Sequence, residues 1–123
     1  MAAAILSRFV VAEVIRFFYD RPRPFKVFDI TPLIAHSAGA SFPSGHAAFY
    51  FALALPIFLI DRKWGWYAIV AAVLIGMARV FVGVHWPLDI LAGLLVASLS
   101  VYTIKLFFPL LNRQQIDSRG LVI

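Results

Sequence analysis

The chain has 123 residues, of which 63% are hydrophobic and 14% are charged, and its mean hydropathy is +0.91. A soluble domain this short has too much surface for such a composition, so the sequence predicts an integral membrane protein. The formal net charge is +5, but the Lys and Arg residues fall at predicted helix ends and in short loops. This placement favours membrane topology and an anionic substrate over a nucleic-acid partner. The chain has no cysteine, which excludes disulfides, thiol nucleophiles and cysteine-ligated metals.

Four apolar segments predict an all-α, polytopic transmembrane bundle with about four spans. The predicted spans are residues 2–19, 45–60, 64–84 and 87–111. Pro87 suits the first turn of the last span, where a missing N–H costs nothing. Glu13 lies three residues before Arg16, close enough to pair with it on one helix face. Residues 1–111 are therefore predicted to form one membrane-embedded core.

The only long irregular segment is predicted at residues 20–43. It contains four prolines, Pro22, Pro24, Pro32 and Pro43. We expect a loop outside the hydrocarbon with a short interfacial helix around Ile30 to Ala35. Residues 112–123 are polar with an apolar end and are predicted to be a disordered tail.

Polar residues interrupt the apolar sequence near four of the predicted helix ends. With four spans, the end of the first, the start of the second, the end of the third and the start of the fourth share one membrane face. The residues near these ends are Arg16, Arg23, Ser44, His46, Arg79, His85 and Asp89. Ionisable groups are costly in lipid and usually mark a functional site, although a pump, a pore or a packed polar joint also uses them. The pattern predicts a single site at one membrane face.

The residue types at this face suit phosphate chemistry. Arginine binds phosphate through a planar, bidentate fork. Ser44, Gly45 and His46 open the second predicted helix, whose N-terminal N–H groups favour an anion. Two histidines fit a nucleophile and a general acid. Asp89 lies one helical turn after His85, where it is placed to hold the second ring nitrogen.

A metal site fits the sequence less well. Zinc or a pair of metal ions needs clustered carboxylates or several histidines. The acids are scattered along the chain, at Glu13, Asp20, Asp29, Asp61, Asp89 and Asp117. We therefore predict phosphoryl transfer through a phosphohistidine, without a metal or another cofactor.

Three motifs in order resemble the signature of the type 2 phosphatidic acid phosphatase family, whose superfamily also includes vanadium haloperoxidases. They are Arg16-x6-Arg23-Pro24, Pro43-Ser44-Gly45-His46 and Arg79-x5-His85-x3-Asp89. The resemblance covers roughly residues 16–105. A haloperoxidase-like activity normally belongs to soluble proteins, and the composition argues against it.

The resemblance implies a role for each matching residue. His85 is expected to attack phosphorus and to be oriented by Asp89, while His46 protonates the leaving group and then activates water. The residues expected to hold the phosphoryl oxygens are Arg16, Arg23, Ser44, Gly45 and Arg79. Arg21 either assists a diphosphate or is simply solvated. Gly83 and Gly93 are expected to be helix-packing positions.

The sequence departs from the family pattern at three points. Arg16 stands where the first motif usually has lysine, and Ala78 stands where the third motif usually opens with serine. Family members also commonly carry two further spans before the first motif. The chain is therefore expected to be a compact version of the fold or a fragment.

The stretch from Arg21 to Phe25, with Ser41 to His46, is similar to the bacterial branch that dephosphorylates undecaprenyl diphosphate. That similarity implies a lipid phosphate substrate and a bacterial plasma membrane, with the site facing the periplasm or exterior. The alternatives are a phosphatidate or phosphatidylglycerophosphate phosphatase, or an inactive fragment that acts only as a membrane scaffold.

Overall fold

The computed structural model describes residues 1–29, 31 and 39–118, with side chains described up to residue 107. All regular secondary structure in this part of the chain is helical. The elements are α1 (Ala2–Ile5), a π-helical stretch (Leu6–Val11), α2 (Ala12–Phe18), α3 (Pro24–Val27), α4 (Gly45–Ile60), α5 (Arg62–Phe81) and α6 (Pro87–Ser118). The all-α prediction is therefore confirmed for the described residues.

The first predicted span corresponds to α1, the π-helical stretch and α2, which follow one another without a break. This run ends at Tyr19, whose backbone is extended, before the Arg-Pro-Arg-Pro sequence that disfavours helix. The single turn α3 begins with Pro24 at its first position, where proline is tolerated. The interfacial helix predicted around Ile30 to Ala35 falls almost wholly on residues outside the described part.

Local side-chain and backbone contacts set the ends of α5. The carboxylate of Asp61 accepts a hydrogen bond from the Trp64 amide at 3.1 Å, so α5 begins at Arg62, earlier than predicted. At the other end, Gly83 has a φ of 76° and donates its N–H to the Val80 carbonyl at 2.9 Å. The expectation that Gly83 packs helices together was wrong, because this residue forms the turn that ends α5.

The last helix is longer than the sequence suggested. α6 continues to Ser118, so residues 112–118 of the predicted tail are helical and not disordered. Residues 119–123 lie outside the described part of the chain.

Small residues bring α4 into close contact with α5 and α6. A Cβ atom placed on Gly65 would collide with the Cα of Phe58, and one on Gly93 would lie 2.9 Å from the Ser44 carbonyl oxygen. Small side chains allow helix backbones to approach closely where apolar burial supplies no driving force. The predicted packing role of Gly93 is confirmed.

The outward faces of the helices are strongly apolar. On α6 one stripe of large side chains is more than half exposed, at Leu88, Leu91, Leu95, Leu99, Tyr102 and Leu106. The opposite side buries Val96, Ala97 and Ser100. Large exposed apolar surfaces mark contact with a membrane or a partner.

Two helical segments, Arg62–Phe81 and Pro87–Phe107, are long and apolar enough to cross a bilayer, and the apolar helix Gly45–Ile60 is shorter. These lengths and the exposed apolar stripe agree with a membrane protein. The count of four spans stays a prediction.

Replacement of Gly93 by valine is expected to lower the melting temperature in detergent, with a loss of roughly 1–3 kcal/mol in stability. The new side chain would collide with backbone atoms of Ser44 and Ala48, which cannot move as a flexible side chain does. Gly39→Val is the matched control, since a Cβ there meets nothing within 4 Å. Equal melting temperatures for the two variants would contradict the packing role of Gly93.

Candidate active site

A buried carboxylate, Asp89, connects several segments at the site. Its Oδ2 accepts hydrogen bonds from the Ser41 hydroxyl and from the Trp86 amide at 2.8 Å. Its Oδ1 forms an ion pair with Arg21 Nη1 at 3.0 Å, and its backbone carbonyl accepts from the Ser44 amide at 2.9 Å. Asp89 is fully buried, so these donors replace the water that a carboxylate needs.

His85 lies directly beside this carboxylate, and only 2% of its surface is exposed. Its Nδ1 is 3.5 Å from Oδ2 of Asp89, and its Nε2 is 3.5 Å from Nη1 of Arg23. Both distances lie at the long end of the hydrogen-bond range. The carboxylate on Nδ1 leaves Nε2 as the ring nitrogen directed at the arginine.

Burial lowers the pKa of His85 below its ordinary value of 6.5. The hydrogen bond with Asp89 opposes this effect, while the positive charges of Arg23 and Arg79 add to it. A lowered pKa keeps the imidazole neutral near pH 7, and a neutral ring has the lone pair that a nucleophile requires.

Arg23 is buried and binds three backbone carbonyls with its guanidinium. Nε donates to Gly39 at 2.9 Å, Nη1 to Val84 at 2.9 Å and Nη2 to Ala40 at 3.1 Å. The side chain therefore joins the loop before α4 to the turn after α5. Each terminal nitrogen carries a second N–H, so a phosphate contact remains chemically open to it.

Arg16 connects the first motif to the second. Its Nη2 donates to the Pro43 carbonyl at 2.9 Å, and its Nη1 pairs with Glu13 at 2.7 Å. The predicted pairing of Glu13 with Arg16 is confirmed. Among the described residues, the buried Nε of Arg16 has no hydrogen-bond partner, which leaves a donor available to an anion.

The second motif forms the beginning of α4. The Ser44 hydroxyl accepts a hydrogen bond from the Ala47 amide at 3.4 Å, which makes Ser44 the N-cap. Gly45 is the first helical residue and is buried. A Cβ there would lie 2.6 Å from Nε of Arg8, so the space that the glycine leaves is occupied by this arginine.

His46 and Arg79 lie at the same end of the bundle. Electrostatic interactions connect the His46 ring with the guanidinium groups of Arg79, Arg8 and Arg16. Arg79 occupies the last turn of α5, and its carbonyl accepts from the Val84 amide at 3.2 Å. The structure thus brings all eight predicted site residues to one end of the helices.

A polar cleft of about 690 Å³ opens beside these residues. Its lining includes three arginines, Arg8, Arg16 and Arg23, and two acids, Glu13 and Asp20. Positive charge exceeds negative charge in this lining, which favours an anionic ligand. Among the described residues, no three His, Asp or Glu side chains lie close enough together to hold a metal ion.

The sequence did not predict the contacts that four side chains make at the site. Arg21 was expected to bind a diphosphate or to be solvated, whereas it pairs with Asp89 and lies 5.3 Å from the Trp86 ring. Ser41 and Trp86 support the same carboxylate. Arg8 is the fourth. Arg8 lies well before the first motif, so motif spacing did not point to it. The one sequence feature that suggested a role was a charged residue within an apolar segment.

The family model of the PAP2 superfamily matches residues 1–113. The chain belongs to the PAP2 superfamily. This match confirms the resemblance to the type 2 phosphatidic acid phosphatases on which the residue roles were based.

Relatives of this PAP2 chain carry informative names. It is 35% identical over 107 residues to "Undecaprenyl-diphosphatase BcrC" of Bacillus subtilis, with 87% of this chain and 55% of that protein covered. It is 41% identical over 91 residues to "Undecaprenyl-diphosphatase" of Sulfolobus acidocaldarius, with 72% and 44% covered. The chain spans about half the length of these relatives.

A solved PAP2 structure has a similar fold. It is described as the first transmembrane PAP2-type phosphatidylglycerolphosphate phosphatase from Bacillus subtilis. The TM-score is 0.67 at 28% identity, and the match covers 87% of this chain and 56% of that one. The all-helical PAP2 chain therefore shares its architecture with a transmembrane protein.

The buried His85 is expected to make the stability of the PAP2 chain depend on pH. Its pKa in the folded state lies below the unfolded value, so the unfolded chain takes up a proton first as the pH falls. The melting temperature in detergent should therefore decrease between about pH 7.5 and 5.5. His85→Gln removes this titration and should make the decrease shallower. An identical slope in the parent and the variant would contradict a lowered pKa at His85.

Proposed function

We propose that this PAP2 chain carries the catalytic site of a membrane lipid phosphatase that acts through a phosphohistidine. The arrangement of His85 carries the proposal. This ring is buried with a carboxylate at Nδ1 and an arginine at Nε2. A nucleophilic imidazole needs this combination, because the carboxylate stabilises the positive ring that forms and the arginine attracts the phosphoryl group.

The reaction then has two displacements at phosphorus. In the first, Nε2 of His85 forms a bond to phosphorus while the bond to the leaving oxygen breaks, and His46 gives that oxygen a proton. In the second, water attacks the phosphohistidine and gives a proton to His46. The phosphorus–nitrogen bond breaks, inorganic phosphate leaves, and both histidines return to their starting states.

The proposed phosphate cradle surrounds the reacting group. It consists of Arg16, Arg23, Arg79, the Ser44 side chain and the Gly45 amide. The buried Nε of Arg16 and the amide groups at the start of α4 supply donors of the kind that stabilise transferring phosphoryl oxygens. Arg23 is held by three carbonyls, so it needs little reorganisation when substrate binds.

The substrate we favour is undecaprenyl diphosphate, with undecaprenyl phosphate as the product. The names of the Bacillus subtilis and Sulfolobus acidocaldarius relatives support this choice. Phosphatidylglycerophosphate is the alternative, favoured by the similar solved structure. The similarity to the bacterial branch supports a location in the bacterial plasma membrane, with the site facing the periplasm or exterior.

An apolar groove of about 720 Å³ supports a lipid substrate. It lies between the end of α5 and the start of α6 and is lined by Met77, Ala78, Val80, Phe81, Ile90 and Leu91. Ala78 and Val80 flank Arg79 in the sequence, so the groove begins next to the proposed phosphate cradle. We assign it to the hydrocarbon chain of the substrate, whose apolar surface it would cover.

The test is phosphate release from undecaprenyl diphosphate, phosphatidate and phosphatidylglycerophosphate in detergent with EDTA present. We expect the parent to release phosphate and His85→Ala to lose activity by on the order of 10⁴-fold or more. His46→Ala should lose about 10²–10⁴-fold, the usual contribution of a general acid. The proteins should also be incubated with substrate that carries labelled phosphorus and then isolated without acid. We expect label on the parent protein and none on His85→Ala.

Lys63→Ala is the control, since Lys63 is exposed at the opposite end of α5, and it should retain parent activity. Parent-level turnover by His85→Ala would show that the nucleophile is another group. Activity that disappears in EDTA and returns with a divalent metal would refute the metal-free mechanism. A folded parent that releases phosphate from none of the three lipids would refute the proposal for this chain.

A further inference from the structure

The N-terminal helical run brings Arg8 to the site, although Arg8 belongs to none of the three motifs. Arg8 lies in the π-helical stretch Leu6–Val11, an element that is often found at functional sites. Its Nε, Cδ and Cζ atoms lie 2.6–2.8 Å from where a Cβ of Gly45 would be. The guanidinium therefore lies against the first residue of α4, beside the proposed general acid.

Arg8 borders two cavities. It lines the polar cleft of about 690 Å³ together with Arg16 and Arg23. It also lines a smaller pocket of about 210 Å³ together with Gly45 and His46. Arg8 thus stands where the proposed phosphate cradle meets the surroundings of His46.

The local charges leave Arg8 available to an anion. One oxygen of Glu13 accepts from Nη1 of Arg8 at 2.6 Å and from Nη1 of Arg16 at 2.7 Å. A single carboxylate charge therefore faces two guanidinium charges, so the group of three has a net positive charge. Glu13 holds only one nitrogen of each fork, and the planar guanidinium of Arg8 has further N–H donors.

Arg8 lies close to the residue that is proposed to protonate the leaving oxygen. In an in-line reaction the nucleophile and the leaving oxygen lie on opposite sides of phosphorus. His85 is the proposed nucleophile, and His46 protonates the leaving oxygen. Because Arg8 shares a pocket with His46, a leaving group that receives its proton from His46 comes close to the Arg8 guanidinium.

Lipid diphosphates and lipid monophosphates differ in the charge of their leaving groups. Cleavage of a lipid diphosphate breaks the bond between the terminal phosphorus and the bridging oxygen, and the leaving group is a lipid phosphate that keeps its negative charge. Cleavage of a lipid monophosphate releases an alcohol, which the proton from His46 makes neutral. A cation next to His46 consequently stabilises the first leaving group more than the second.

We propose that Arg8 binds the lipid-linked phosphate of a diphosphate substrate and gives the site a preference for diphosphates over monophosphates. This inference rests on the proposed phosphatase function. It adds a substrate-binding residue and names the class of substrate that the residue selects.

The test compares a prenyl diphosphate with the prenyl monophosphate of the same chain length, using the full chain in detergent. For Arg8→Gln we expect kcat/KM for the diphosphate to fall by about 10²-fold, the usual cost of one transition-state donor. The value for the monophosphate should stay within about threefold of the parent. Arg8→Lys keeps the charge without the fork, so its diphosphate loss should be smaller, about 10-fold.

Arg62→Gln is the matched control, because Arg62 is exposed at the opposite end of the bundle and packs over Phe58. It should leave both activities unchanged. The monophosphate activity also reports folding within the same experiment, and melting temperatures in detergent check it independently.

Equal losses for the two substrates in a folded Arg8→Gln protein would overturn the proposal. If Arg8→Gln does not fold, Arg8→Lys decides by the same comparison, and equal losses there would also overturn it. A parent that cleaves neither substrate would refute the phosphatase function itself, and this inference with it. A parent that cleaves only the monophosphate would refute the preference and leave the phosphatase function standing.

Discussion

The burial of Asp89 is the constraint on which the site depends. A carboxylate without water is costly unless hydrogen bonds and opposite charges replace the solvent. Asp89 obtains these from Ser41, Trp86 and Arg21, and its backbone carbonyl holds Ser44 at the start of α4. The same residue therefore orders the loop, positions the third motif and fixes the beginning of the second.

The arginines at the site also serve the fold. Arg23 binds three carbonyls, and Arg16 joins Glu13 to Pro43. Such anchoring fixes the guanidinium groups before a ligand arrives, so binding requires little loss of side-chain entropy. It also means that each arginine presents only part of its fork to an anion. The arginines are therefore well fixed in position, but each has fewer free N–H donors for a ligand.

The sequence predicted the helices because apolar runs and prolines are local signals. It predicted the grouping of the three motifs at one end because successive spans cross the membrane in opposite directions. It did not predict that Arg21 and Ser41 would bind Asp89, since those contacts join residues 68 and 48 positions apart. Arg8 was missed because a π-helical stretch changes which residues share a helix face. Gly83 was misassigned because a turn glycine and a packing glycine look alike in sequence. The end of α6 was misplaced because polar composition alone does not stop a helix.

The contact between Arg8 and Gly45 has a consequence for how this chain can vary. The three atoms nearest to a Cβ at position 45 all belong to the Arg8 side chain, so a larger residue at position 45 and a long side chain at position 8 would compete for the same space. Relatives that carry a larger residue after the serine should then have a shorter or absent side chain at the position of Arg8. Such paired variation would connect the second motif to the π-helical stretch Leu6–Val11, which precedes all three motifs.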